Sequence, residues 1–194
     1  MEFYVIVLLG IFSVPLAKAI FRLFRKKRLY SEARTFMSGV RQRRALPVVQ
    51  TNLLLKANEV AFYSAPSALY ETRAVRQYRS RHTGIRLAKG FYIGRTKGRS
   101  ISTQQWTKID TGKLTVTNLR VIFEGRSENR SISVNKIVSV ESGLNQIEVA
   151  TESRQKSMMF AASNPLILAA IIRICSQVED ARNLSHTTLN VEYV

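Results

Sequence analysis

Cysteine and histidine are scarce in this chain of 194 residues, which has one cysteine, Cys175, and two histidines, His82 and His186. A lone cysteine cannot form an internal disulfide and suits a reducing compartment, and three such residues far apart in sequence do not predict a metal site. The motifs of phosphate-binding loops, serine hydrolases and zinc proteases are missing too. We therefore expect a protein that is not an enzyme, with no catalytic residues, metal or cofactor.

Acidic residues are also few, because 13 Asp and Glu stand against 30 Lys and Arg, which gives a net charge of +17. The excess lies in the first two thirds of the chain. Residues 1–58 hold eleven basic and two acidic residues, residues 59–109 hold ten and two, and residues 110–194 hold nine and nine. This distribution predicts a polyanionic partner for the first two thirds, either lipid headgroups or nucleic acid.

The amino-terminal segment contains the longest run without charge. Residues 3–17 read FYVIVLLGIFSVPLA, and the run reaches Phe24 if Lys18 and Arg22 are tolerated. Twenty-two helical residues span about 33 Å, enough to cross a hydrocarbon core of about 30 Å. We predict a transmembrane anchor over residues 1–24; an interfacial amphipathic helix, a cleaved signal peptide and a buried helix are the alternatives. Because the basic residues follow the run, the amino terminus is expected outside and the rest in the cytoplasm.

Residues 25–57 are expected to form a basic juxtamembrane helix and linker. Apolar residues recur at helical spacing from Leu29 to Val40, and Pro47 ends the pattern. The segment is either a polybasic collar that lies on an anionic leaflet or a flank that contacts nothing in particular. The predicted membrane-surface residues are Arg25, Lys26, Lys27, Arg28, Arg41, Arg43 and Arg44.

Residues 58–182 are predicted to form one domain, followed by a tail over residues 183–194. At least seven short runs, several alternating apolar with polar, are typical of antiparallel strands. The stretch GKLTVTNLRVIFEG, residues 112–125, is predicted to be a β-hairpin that turns at Asn118. The last strand precedes a helix with Asn164 as its N-cap and Pro165 in its first turn, and its apolar stripe comprises Leu168, Ile171, Ile172, Cys175 and Val178.

The stretches DTGKLTVTNLRVIFEG and RSISVNKIVSVES, within residues 110–142, resemble the pattern of GRAM and bacterial PH-like domains. The resemblance implies a fold that is mainly β with a C-terminal α-helix, namely a PH-like small barrel, here preceded by the transmembrane helix. Domains of this superfold bind lipids, proteins or nothing known, so the resemblance alone leaves the function open.

The stretch from Thr72 to Ile109 holds ten Lys and Arg and no acid. Within it, GRTKGRS, residues 94–100, is predicted to be a loop that wraps a phosphate with cations and backbone amides. PH-type domains often bind headgroups through such a loop, which the resemblance implies for Arg95, Lys97 and Arg99. The other predicted lipid- or anion-binding residues are Arg73, Arg79, Arg86 and Lys89; the bland alternative is a solvated basic face.

These patterns predict a membrane-anchored, non-enzymatic PH/GRAM-like module whose basic face binds anionic lipid headgroups or a membrane-associated partner. One alternative is a subunit of a membrane protein complex that docks an acidic protein partner or a second copy of itself. Another is a membrane-tethered nucleic-acid-binding module, in which the interleaved aromatic residues would stack on bases.

Overall fold

The structure is a computed structural model that describes the backbone of residues 2–88, 91–152 and 157–178. Side chains are described for residues 18–78, 100–152 and 157–178. The predicted tail over residues 183–194 and the end of the predicted domain therefore lie outside the described residues. Helix α1 spans Glu2–Arg43, and helix α2 spans Pro165–Gln177.

Seven strands lie between the two helices. They are β1 Ala61–Ala88, β2 Phe91–Thr117, β3 Arg120–Gly125, β4 Asn129–Ser133, β5 Ile137–Ser142, β6 Gln146–Thr151 and β7 Met158–Ala161, with a 3-10 turn at Val134–Lys136. All described pairings are antiparallel, and the strands are arranged in the order β4-β3-β2-β1-β7-β6-β5. β1 therefore lies in the centre of the sheet, with β4 and β5 at its edges.

Helix α2 forms as its sequence predicts. The Asn164 side chain accepts a hydrogen bond from the Ile167 amide, and Pro165 occupies the first turn, where its missing N–H costs nothing. Leu168, Ile171 and Ile172 are buried in the same core as Phe123, Ile147 and Phe160 of the sheet. The helix thus closes the hydrophobic core against β5 and β6.

The second half of α1 also belongs to this core. Leu29, Ala33, Met37 and Val40 are buried and Phe36 is partly buried, so the predicted apolar stripe is correct. The surface on which the stripe packs differs from both predictions for this segment. The stripe packs on α2 and the sheet, so it neither lies on a leaflet nor remains without contacts. The core accordingly includes residues that precede position 58.

Among the residues that the structure describes, no helix is long and apolar enough to cross a membrane. The transmembrane anchor predicted over residues 1–24, and the single-pass localisation with an external amino terminus, are wrong on this finding. The physical reason is that α1 is one helix of 42 residues that carries nine Lys and Arg and docks on the domain through its second half. After α1, the described residues form a seven-stranded antiparallel sheet followed by helix α2. This agrees with the other part of the fold prediction, a mainly β domain with a C-terminal helix.

Candidate functional site: a basic β-ribbon arm

Strands β1 and β2 continue far beyond the sheet. β1 makes its last pair with β7 at Glu71, and β2 begins to pair with β3 only at Gly112. Between these points the two strands pair only with each other, in an unbroken register from Thr72↔Trp106 to Arg86↔Tyr92. We call residues 72–88 and 91–106 the arm; at about 3.3 Å per residue it is about 56 Å long.

Both faces of the arm are exposed near its base, where side chains are described. Arg73, Arg76 and Tyr78 on β1 are exposed, as are Ile101 and Trp106 on β2. Tyr78 is 70% exposed and Trp106 39%, which is unusual for aromatic residues unless they contact something else. Since positions two apart, and positions directly opposite, share a face, Trp106, Arg76 and Tyr78 lie on one face and Arg73 and Ile101 on the other.

The arm brings most of the predicted anion-binding residues together. Arg73, Arg79 and Arg86 lie on β1, and Arg95, Lys97 and Arg99 lie on β2, while Lys89 is outside the described residues. The loop conformation predicted for residues 94–100 is wrong, because this stretch is part of β2. Its glycines occupy strand positions, with Gly94 paired to Gly84 and Gly98 paired to Ser80.

The register places like charges opposite one another in the outer half of the arm. Arg79 pairs with Arg99, and Arg81 pairs with Lys97. Directly opposed like charges destabilise an antiparallel pair, and a hairpin with no further strand is marginally stable on its own. A polyanion that neutralises these positions would therefore stabilise the arm as it binds.

Glu71 and Arg130 form an ion pair at the base of the arm. The Arg130 Nε donates to the Glu71 Oε1 at 3.1 Å, and its Nη1 donates to the Glu128 Oε2 at 2.7 Å. Arg130 lies on β4, so the pair connects the edge of the sheet to the point where β1 leaves it. This arginine is held by carboxylates of the chain itself, in contrast to the acid-free arm.

The predicted membrane-surface residues are placed along α1 and just after it. Lys26, Lys27, Arg28, Arg41, Arg43 and Arg44 are exposed, and Arg25 is half-buried. Arg28 forms an exposed ion pair with Glu32, and this pair raises the pKa of Arg28 and lowers that of Glu32. Arg41 and Arg43 lie in the last turn of α1, where cations interact favourably with the helix dipole.

The hairpin motif TNLR has a structural role. Glu59 is buried and accepts hydrogen bonds from Thr117 Oγ1 at 2.8 Å, Arg120 Nε at 2.8 Å and the Lys56 amide at 2.7 Å. Burial alone would raise the pKa of Glu59, but these hydrogen bonds and the Arg120 charge lower it to about 2. Asn118 accepts from the Val60 amide and donates to the Asn58 carbonyl. The motif thus fastens the β2–β3 turn to the segment that enters β1.

Asp110 also supports the scaffold. Its Oδ2 accepts hydrogen bonds from the amides of Ser127 and Glu128 at 2.7 and 2.9 Å, so it caps the turn between β3 and β4. These backbone hydrogen bonds lower the pKa of Asp110. Asp110 itself lies within β2, and the turn that it caps is 17 residues further along the chain.

Chemically reactive groups are not assembled in the described part of the chain. Burial raises the pKa of Cys175 to about 12, which keeps the thiol protonated and unreactive. Within the described residues, no group of three or more His, Cys, Asp or Glu could hold a metal ion. The side chain of His82 and all of His186 lie outside the described residues.

Two features of the structure were missed from the sequence. Glu59 was not singled out, although it is the lone acid between Glu32 and Glu71, which is a signal in so basic a region. The exposed apolar residues of α1, namely Ile20, Phe21, Leu23 and Phe24, were assigned to a membrane span. Their angular offset from the stripe of Leu29 to Val40 could have shown that they face a different way.

Comparison with known proteins gives no family for this chain. No family model matches, and no curated protein matches. One solved structure, the C-terminal domain of an unknown protein from Leishmania infantum, is 14% identical, with a TM-score of 0.34 over 61% of this chain and 86% of that one.

Proposed function

We propose that the chain is a non-enzymatic binding module whose arm engages anionic lipid headgroups. The observation that carries the proposal is the arm itself, which is exposed near its base, where its side chains are described. It lies within residues 72–109, a stretch that holds ten Lys and Arg and no acid. The resemblance to GRAM and bacterial PH-like domains is compatible with this proposal, since some domains of that superfold bind lipids.

A lipid surface fits the shape and chemistry of the arm. An extended ribbon can lay one face on a plane of anionic headgroups. The register places positions 73, 79, 81, 95, 97 and 99 on the same face, so cations along that face can contact phosphate at once. Trp106, Arg76 and Tyr78 lie on the opposite face and are not part of this contact.

Nucleic acid is the second candidate, and one observation favours it. A two-stranded antiparallel ribbon has the dimensions that the major groove of duplex DNA accepts. The same protein variants can be tested for binding to lipid vesicles and to nucleic acid, which distinguishes the two candidates.

The experiment compares full-length protein with a variant in which Arg95, Lys97 and Arg99 are replaced by Ser. Sedimentation is measured with vesicles of phosphatidylcholine alone or with phosphatidylserine added. Each cation near an anionic leaflet contributes about 1 kcal/mol, so losing three lowers partitioning about a hundredfold. The matched control replaces three exposed cations outside the arm, Lys56, Arg126 and Lys136, by Ser and is expected to bind as the parent does.

Four results would contradict the proposal. Equal loss of binding in both triple variants would mean that only net charge matters, and equal sedimentation with both vesicle types would remove the electrostatic basis. Binding to a DNA or RNA duplex that depends on the arm, with no vesicle binding, would assign the arm to nucleic acid. Failure to bind any of these would favour the acidic protein partner.

A further inference from the structure

The outer face of α1 carries an apolar patch that nothing described covers. Phe21, Leu23 and Phe24 are 67%, 66% and 69% exposed, and Ile20 is 44% exposed. Side chains of this size are normally buried, and such a cluster marks a contact surface. We call these four residues the α1 patch.

The patch points away from the domain. At about 100° per residue, the α1 patch is centred about 180° from the stripe of Leu29, Ala33, Met37 and Val40 that packs on the core. The domain therefore holds α1 by one side and presents Ile20 and Leu23 on the opposite side, while Phe21 and Phe24 also line a depression with Ser163 and Asn164 before α2.

Cations continue the same outer side in the next turns. A depression of about 840 Å³ is lined by Ile20, Leu23 and Phe24 of the patch and by Lys27 and Arg34, both exposed. No acidic residue lines it among the described ones. The occupant must therefore be apolar on one part and anionic on the next.

We propose that the outer face of α1 is a second lipid contact, in which the α1 patch enters the headgroup region and Lys27 and Arg34 bind phosphate groups. This inference rests on the proposed function, since it concerns the same anionic lipid surface, but it involves a different element and a different force.

Two other occupants fit the observations less well. A second copy of the chain would bring two molecules of net charge +17 together at a face that carries cations. An acidic protein would need a surface of about 800 Å² on each side, whereas the patch spans five residues, about 7 Å, in the part of α1 whose side chains are described. A lipid surface requires no matching shape, and fluid headgroups can surround small apolar side chains.

The test places a fluorescent reporter in the patch of the full-length chain. Phe24→Trp is combined with Trp106→Phe, which removes the native tryptophan. With vesicles that contain phosphatidylserine and lipids brominated on the upper acyl chain, the tryptophan at position 24 is expected to shift to shorter wavelength and to be quenched. Leu54→Trp, in the same Trp106→Phe background, is the matched control, because Leu54 is 93% exposed in the segment between α1 and β1, and it is expected to be quenched less.

A second variant measures what the patch contributes. Phe21→Ser with Phe24→Ser is expected to lower vesicle partitioning about tenfold to a hundredfold and to act equally at low and high salt, because apolar burial is not screened. The triple arm variant instead loses binding mainly at low salt. The failure of one proposal is thereby separated from the failure of the other.

No quenching at position 24 on vesicles that bind the protein would overturn the inference and leave the arm as the lipid contact. A dimer in analytical ultracentrifugation that dissociates in Phe21→Ser with Phe24→Ser would instead assign the patch to self-association. The tryptophan at position 24 can also be placed in the triple arm variant. If the quenching per bound molecule stays the same there, it would support the α1 contact independently of the arm.

Discussion

Glu59 and Arg120 show how this basic chain uses one of its few acids. The Glu59 side chain has no exposed surface, and both of its carboxylate oxygens accept hydrogen bonds from Arg120, at 2.8 and 3.1 Å. A buried carboxylate is stable only when its hydrogen bonds are satisfied, and here the Thr117 hydroxyl and the Lys56 amide complete them. The pair thus stabilises the hairpin entry rather than binding a ligand.

We predict that Glu59→Gln lowers the free energy of unfolding by about 2–4 kcal/mol, because it leaves Arg120 without its counter-charge. The pKa of Glu59 falls from its ordinary value of 4.5 to about 2 on folding. Its stabilisation is therefore complete above about pH 5 and lost as the pH falls towards 2. Urea unfolding between pH 2.5 and pH 7 should show this dependence in the parent and a smaller one in the variant.

The control for that prediction is Glu124→Gln, which changes an exposed acid on β3. Its stability and its pH dependence are expected to remain close to those of the parent. If both variants lose the same stability, the effect comes from net charge and not from the Arg120 pair.

At the scale of single elements, α1 is the clearest case of a surface with two uses. One side packs Met37 and Val40 into the core, while the other side presents the α1 patch to solvent. A hydrogen bond of 2.9 Å from Asn164 Nδ2 to Glu32 Oε2 also joins α1 to the start of α2. The helix is therefore fixed in its rotation, which determines where the patch faces.

We predict that Val40→Asp destabilises the protein by several kcal/mol, since it puts an unpaired charge where the side chain has no exposure. That loss is a large part of the total stability of a small domain, about 5–15 kcal/mol. The matched control is Thr35→Asp, because Thr35 is exposed on the same helix. This variant should leave the melting temperature almost unchanged. Equal melting of the two variants would mean that α1 does not dock.

The sequence predicts elements of this fold better than their partners. The spacing from Leu29 to Val40 correctly indicated a helix with one buried face, but amphipathic spacing cannot say whether protein or lipid covers that face. Likewise Gly94, Gly98 and three cations suggested a loop. Their strand conformation depends on pairing with residues 79–84, more than ten positions away, and no local pattern contains that information.

At the scale of the whole molecule, β1 and β2 run through both the sheet and the arm, but the two parts differ in burial and in charge. The core consists of residues from α1, the sheet and α2, and none of its buried members lies within residues 70–78 or 100–113, the parts of this stretch whose side chains are described. The charge follows the same division, with the acid-free stretch in the arm and a balanced composition from residue 110 onward. The core and the acid-free stretch thus occupy different parts of one chain.

We predict that the arm can be removed without unfolding the domain. Glu71 pairs with Thr107, so replacing residues 72–106 by Asn-Gly should close a short hairpin at that pair. The melting temperature should stay within a few degrees of the parent, while binding to anionic vesicles falls by more than in the triple arm variant. Calorimetry and sedimentation measure the two effects, and loss of the cooperative melt would show that the sheet needs the arm.

β1 passes from the core into the arm without a break, and at its base it is hydrogen-bonded to β2 on one edge and to β7 on the other. A pull on the tip of the arm acts along the strand axes, perpendicular to the hydrogen bonds between strands. Such a force shears many bonds at once, whereas a pull on an edge strand opens them one after another. In the proposed contact, tension between a captured surface and the domain therefore acts as shear on the pairs of β1 with β7 and of β2 with β3.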